Sequence, residues 1–211
     1  MVPALLFLLL KKLIKKHWHK GITILLLVVT IAASGQENLK YKITRDGEVI
    51  GWTTISRITE NEITKIILQS EVKARFFFQF NVFATEEVTL RGGVITHTAQ
   101  FRKMNGDVKE NKEMRFTING YEVYKGSKIE RLPFTTLNAN ILSLYFQEPL
   151  SVQEVYSDKF QKMIAVKCLG NGKYKLKLPD GNSSTYHYRN GNCIRVEIDH
   201  SFYSAEMNLS K

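Results

Sequence analysis

Ile63-Thr64-Lys65-Ile66-Ile67-Leu68-Gln69-Ser70-Glu71-Val72-Lys73-Ala74-Arg75 is the stretch that decides the fold. Ile66, Leu68, Val72 and Ala74 share one parity, and Lys65, Gln69, Glu71, Lys73 and Arg75 share the other. Successive side chains of a strand point to opposite faces, so this segment reads as a strand with one dry and one wet face. The same alternation recurs at Leu39, Tyr41 and Ile43, at Met114, Phe116 and Ile118, at Tyr174, Leu176 and Leu178, and at Ile194, Val196 and Ile198. Turn dipeptides punctuate it, among them Asp46-Gly47, Gly92-Gly93, Asn105-Gly106 and Asn190-Gly191. Such pairs supply the positive φ angles that tight hairpins need. The pattern predicts roughly ten antiparallel strands in a meander.

One interruption has helical spacing. Leu137, Ile141, Leu142, Leu144 and Tyr145 recur at that period, Thr135 or Thr136 can cap the start, and Pro149 blocks continuation. A one-sided sheet must cover its apolar face. The expected fold is therefore mainly β: a strongly curved antiparallel sheet, a half-barrel, packed on one central helix and preceded by an N-terminal apolar export helix.

The first 35 residues differ in kind from the rest. A lysine-rich stretch, Lys11-Lys12-Leu13-Ile14-Lys15-Lys16-His17-Trp18-His19-Lys20, precedes an apolar run from Gly21 to Ala33. Crossing a bilayer takes about 20 apolar residues, whereas an export-signal core takes about 7 to 15. The run falls in the second class. Ala33 and Gly35 occupy the minus-three and minus-one positions of a cut between Gly35 and Gln36. No cysteine is present to carry a lipid anchor. Residues 1–35 are thus expected to be an export signal or membrane segment, and residues 36–211 a single β-rich envelope domain. Membrane contact is expected through residues 1–35 only, before cleavage. The extra apolar run Val2 to Leu10 leaves three readings open: a start site placed too far upstream, an amphipathic surface helix, or an uncleaved anchor with its lysines inside.

Charge is partly a property of this leader. Of a net charge of +10, five units come from Lys11, Lys12, Lys15, Lys16 and Lys20, which leaves 25 basic against 20 acidic residues, or +5. That mild excess does not carry the footprint of a nucleic-acid binder. Twelve Phe and nine Tyr supply a sizeable core and make disorder a poor reading.

The segment Lys173-Tyr174-Lys175-Leu176-Lys177-Leu178-Pro179-Asp180-Gly181, the segment Tyr186-His187-Tyr188-Arg189-Asn190-Gly191, and Asn140-Ile141-Leu142-Ser143-Leu144-Tyr145-Phe146 carry a family resemblance. With strands, a central helix and a last hairpin group in this order, the chain resembles an uncharacterised family of exported bacterial β-proteins. It is more distantly similar to half-barrel envelope proteins that carry lipoproteins. The resemblance implies a curved sheet around an apolar cavity. These motifs are turn and core signatures, and they imply fold more than chemistry.

Candidate sites follow from residue types. His97, His187 and His200 read as wet-face or edge residues, with no helical pair at metal-ligand spacing. No serine elbow or phosphate-binding glycine loop is present. No catalytic residue, cofactor or metal is expected. Cys168 shares phase with Ile164 and Val166, whereas Cys193 shares phase with Arg195 and Glu197, so parity opposes a disulfide that would otherwise stabilise by roughly 3 to 4 kcal/mol. Phe76, Phe77, Phe78, Phe80 and Phe83 form the densest apolar cluster. An apolar ligand cavity lined by Phe77, Phe80, Phe83, Leu142 and Tyr145 is expected.

The function expected first is a non-enzymatic exported module that binds an apolar or amphiphilic envelope ligand, lipid or lipoprotein-like. A structural or assembly protein acting through an exposed sheet edge is the alternative, and a hydrolase with an unrecognised site is the third. Periplasmic or envelope location is expected, and oligomeric state is left open.

Overall fold

Every strong alternation in the sequence becomes a strand. In the computed structural model, which describes residues 35–75, 79–201 and 203–210, the strands are β1 (Gly35–Arg45), β2 (Glu48–Glu60), β3 (Ile63–Arg75), β4 (Gln79–Arg91), β5 (Val94–Met104), β6 (Asp107–Thr117) and β7 (Gly120–Lys125). They continue with β8 (Lys128–Arg131), β9 (Glu154–Ser157), β10 (Lys162–Gly170), β11 (Lys173–Lys177), β12 (Ser183–Arg189), β13 (Asn192–His200) and β14 (Tyr203–Leu209). Fourteen strands replace the expected ten or so. The shortfall lies in pieces such as β8 and β9, four residues each, too short to show an alternation.

All fourteen form one antiparallel sheet in the order β8-β7-β6-β5-β4-β3-β2-β1-β14-β13-β12-β11-β10-β9. Sequence neighbours pair from β1 to β8 and from β9 to β14, and Asp46-Gly47 and Asn105-Gly106 adopt the positive φ their hairpins require. The one long-range pairing joins first to last: Tyr41 faces Leu209, and Ile43 faces Met207. That pairing places both chain ends of the domain in the middle of the sheet and makes β8 and β9 its edges. At Gly51 the neighbouring strand comes so close that an added Cβ would collide with the Glu71 carbonyl.

Register aligns the inward side chains in rows. Leu39, Ile55, Leu68, Glu86, Gln100 and Lys112 stand side by side across β1 to β6. The next row runs Ile66, Val88, Thr98, Met114 and Val123, all nearly sealed from solvent. The sheet curls. Thr98 on β5 lies 2.5 Å from Asp158, the residue after β9, although β5 and β9 stand ten places apart in the strand order. A flat sheet would hold them roughly 48 Å apart at about 4.8 Å per strand.

The connection from β8 to β9 crosses the concave face as a strap. Leu137 accepts a backbone bond from Ile95 on β5 (2.8 Å), and its own N–H goes to the Tyr121 hydroxyl on β7 (3.0 Å). Tyr145 packs edge-on against Tyr41 of β1 (5.4 Å) and Tyr186 of β12 (5.7 Å). Tyr188 donates to the Leu144 carbonyl at 2.6 Å. The expected central helix is corrected here to a single 3-10 turn, Ile141–Tyr145, capped by the Asn140 side chain at 2.8 Å from the Leu142 N–H. The reason is competition for backbone groups. Leu137 spends its N–H and C=O on the sheet, so no i to i+4 ladder can start there. The expected export helix lies outside the described residues, and among those described no helix is long and apolar enough to cross a membrane.

The core under the strap is tyrosine-rich. Tyr41, Tyr121, Tyr145, Tyr156, Tyr174, Tyr186 and Tyr188 are all buried. Most place the hydroxyl on an acceptor: Tyr41 on the Cys193 carbonyl (2.8 Å), Tyr121 on the Ile95 carbonyl (2.9 Å), Tyr174 on Glu148 (2.9 Å). A phenol fills apolar space as phenylalanine does while cross-linking strap and sheet by a directed bond.

Candidate functional site

The expected ligand-lining residues do not converge. Leu142 and Tyr145 are buried in the strap's contact with the sheet, where they fill space. Phe83 lies on the outer face and pairs with Phe101 at 6.5 Å, whereas Phe80 shares the inward phase of Ala74, Val82 and Ala84. Phe77 lies outside the described residues. Consecutive aromatics alternate between faces, so a run of them cannot line one wall. The expected cavity lined by all five is therefore corrected: of the four described, Phe80 alone lies on the concave face away from the strap.

Burial along the inward rows marks where the concave face is open. Under the strap, Val88, Ile95, Thr98, Met114 and Val123 are at most 2% exposed. Moving along the same strands away from it, Ser70, Val72, Val82, Ala84, Arg102 and Met104 are each partly exposed. Ile198 and Tyr203 on β13 and β14 follow the same trend. Ala74, at the far end of β3, is covered again. The strap plugs one end of the curled sheet, and beyond it an inward apolar surface faces solvent.

A polar layer separates the two regions. Asp158, just after β9, accepts from Thr98 Oγ1 on β5 (2.5 Å) and from Asn140 Nδ2 on the strap (2.6 Å). Lys112 on β6 is buried, 3.4 Å from Glu110, and donates to the Lys159 carbonyl at 3.4 Å. Glu86 stands beside Gln100 in the same layer. Burial, then the Asp158 charge, push the Glu86 carboxyl from 4.5 up to about 7, against the lowering pull of Gln100, Lys112 and Arg102. Burial likewise raises Asp158, opposed by its bonds from Thr98 and Asn140. The void beside Asp158, between Thr98, Lys112, Tyr156 and Gln161, has no room for a ligand. Asp158 therefore acts as a clasp that ties strap to sheet. None of these polar residues was singled out from the sequence. The signal was available: Glu86, Gln100, Arg102 and Lys112 occupy inward phases where Val82, Val88 and Met114 are the pattern.

On the outer face lies a trough of about 370 Å³. Ile67, Glu87, Ala99, Glu113 and Tyr124 form one of its rows, and Phe101 and Asn111 belong to the next. Its carboxylates are engaged: Glu87 with Lys65 (2.8 Å), and Glu113 with His97 (2.7 Å) and Arg115 (2.8 Å). The bonds from Arg115 hold Glu113 below its usual range. His187 sits 3.2 Å from Glu197, and His200 stacks on Tyr203 at 4.7 Å, so the three histidines stand apart. Among the described residues no group of three or more His, Cys, Asp or Glu is placed to hold a metal ion.

Cys168 is exposed on β10 and Cys193 buried on β13, with two strands between them, and both thiols are free. Burial pushes the Cys193 thiol up to about 12. Gly35 and Gln36, where the leader is expected to be cut, open β1 opposite Thr59 and Ile58.

A family model described as a domain of unknown function (DUF6134) matches residues 41–210. No curated protein matches the chain. Among solved structures the chain is similar to a β-barrel-like protein of domain of unknown function DUF1849 from Brucella abortus. The TM-score is 0.52 at 10% identity, over 86% of this chain and 98% of that one. A likeness at that identity speaks for a barrel-like fold.

Proposed function

The chain belongs to the DUF6134 family, and on that premise we propose that it is an exported, non-enzymatic module that binds an apolar or amphiphilic envelope ligand on its concave face. The observation that carries this reading is the change in burial along the inward rows: nearly sealed at Val88 and Thr98, partly exposed at Val82, Ala84 and Met104. Inward apolar side chains left accessible to solvent are the mark of a surface that something else covers. The outer trough suits an apolar chain less well, since the ion-paired Glu87 and Glu113 stand among its apolar side chains.

The alternative, an assembly protein docking through a sheet edge, would use β8. Its four residues are all exposed, and Lys128, Glu130 and Arg131 are charged. Charged, short edges resist added strands, so this reading has less support. A hydrolase would need its shifted carboxyls in a cleft, and Asp158 is committed to Thr98 and Asn140.

Ala84→Trp tests the binding reading, because it fills the inward row between Ser70 and Arg102. A fluorescent fatty-acid probe is expected to bind the natural chain and to bind the variant at least tenfold more weakly, with an unchanged circular dichroism spectrum. Equal binding by both chains, or none by the natural one, sinks the reading. Native mass spectrometry of protein purified from its own envelope would report a retained ligand together with the amino-terminal cut.

A further inference from the structure

We propose that Arg102 is an anion-recognition residue at the open end, its guanidinium pairing with the carboxylate or phosphate head of an amphiphile whose apolar part lies along Val72, Val82 and Met104. This rests on the binding reading above and names the chemistry of the ligand's head.

Register places the side chain. Arg102 pairs with Ala84 on one side and Glu110 on the other, in the inward row that begins at Tyr41, Thr53 and Ser70. Ala84 offers no side chain beyond its Cβ, so nothing longer stands next to Arg102 on that side of the row. Met104, two residues along the same strand, continues the face as an apolar wall.

Among the described residues the Arg102 side chain makes no ion pair and no hydrogen bond, and its Nε is sealed from solvent with no acceptor. Glu110, directly opposite, has its carboxylate 3.4 Å from Lys112 Nζ instead. A cation held against a low-dielectric wall without a counter-charge is unfavourable, and the imbalance is removed when an anion arrives. A guanidinium presents a planar fork that matches carboxylate and phosphate oxygens two at a time.

The other cations facing this end have acidic neighbours. Arg45 on β1, 3.3 Å from Asp46, and Arg102 both act on Tyr203, which reaches in from β14. Lys112 contributes from β6, against Glu110 on the same strand and Glu86 on β4. Burial and the Asp158 charge raise the Glu86 carboxyl to about 7, so near neutral pH it answers Arg102 only in part. Arg45 and Lys112 thus each stand against a carboxylate, Arg102 has no ion pair among the described residues, and apolar side chains flank it on one side. That combination selects an anionic amphiphile over a neutral one.

Isothermal titration calorimetry on the full chain separates the outcomes, with dodecanoate, dodecyl maltoside and inorganic phosphate as probes. Dodecanoate is expected to bind about ten- to hundredfold more tightly than dodecyl maltoside, as a charge-assisted pair adds. Arg102→Gln is expected to remove that preference and leave the maltoside affinity unchanged, and Arg102→Lys to keep part of it. Dodecanoate binding untouched by Arg102→Gln or equal to that of the maltoside in the natural chain overturns the assignment. Phosphate binding as tight as dodecanoate would make this a site for a free anion, and the head-group assignment would fall. If neither detergent-like probe binds the natural chain, the binding reading beneath it fails as well. Should Arg102→Gln not fold, the Arg102→Lys comparison carries the same test.

Discussion

Replacing Glu86 by Gln removes an inward carboxylate from the polar layer and should change how stability depends on pH. In the folded chain the Glu86 carboxyl is raised from 4.5 to about 7, chiefly by burial and then by the Asp158 charge. The folded state therefore holds this proton more tightly than the unfolded state does. Stability from the neutral carboxyl is fully present below pH 4.5, declines as pH rises, and is lost once pH passes about 7. The shift spans roughly 2.5 pH units, and at about 1.4 kcal/mol per unit the loss is about 3 kcal/mol. Glu86→Gln keeps the shape and a hydrogen-bonding oxygen for Gln100 but cannot ionise. It is expected to match the natural chain near pH 4 and to exceed it by about 3 kcal/mol near pH 8, which for a domain of this size is about 6–12 °C in Tm. Urea unfolding followed by circular dichroism across pH 4 to 8 measures this directly. The midpoint should move while the slope m stays constant. A variant whose midpoint runs parallel to that of the natural chain over this range would refute the buried-carboxyl argument, and so would one destabilised equally at both ends. Because Asp158 is raised by the same cause, the variant should retain a weaker decline of its own.

Asp158→Ala strands Thr98 Oγ1 and Asn140 Nδ2, both in buried residues, and is expected to cost about 3 kcal/mol. Limited proteolysis should then cut within the strap before any strand, and cleavage no faster than in the natural chain would show that Asp158 is no clasp. Thiol titration with a disulfide reagent is expected to count one reactive cysteine in the folded chain, Cys168, and two after denaturation, since Cys193 is buried with its thiol raised to about 12. A count of none after denaturation without reductant would mean the two are bonded.

Much of the fold was legible along the chain because strand alternation and hairpin turns are local. Ile66 and Leu68 face inward and Lys65 and Gln69 outward, as their parity requires, and Asp46-Gly47 closes its hairpin as its φ preferences require. The parity of Cys168 and Cys193 does not carry through: Cys168 stands opposite buried Tyr174, and Cys193, past an irregularity in the β12–β13 register, stands opposite buried Tyr188, so both lie on the inward face with two strands between them. The strap was misread for a physical reason. Leu137, Ile141, Leu142, Leu144 and Tyr145 do have helical spacing, but that spacing also arises when a segment lies across a sheet and drops side chains into it at intervals. Ile95 and Tyr121 then claim the backbone groups a helix would have used.

The candidate site was the least legible part. A cluster of phenylalanines drew the reading toward Phe77, Phe80 and Phe83, yet alternation divides such a cluster between faces. The residues that shape the concave end, Arg102 and Glu86, are polar side chains in apolar phase, and their meaning depends on what stands opposite.

By itself the sequence determined a one-sided antiparallel meander with tight hairpins, because those properties depend on residues a few positions apart. The tertiary structure alone decided that β1 pairs with β14, that the sheet curls far enough for Thr98 on β5 to bond Asp158 after β9, and that the strap seals one end. Which inward residues are buried and which stay open to a ligand depends on contacts between segments far apart in the chain. No local pattern encodes that distance, so the same alternation that announces a dry face is silent on what covers it.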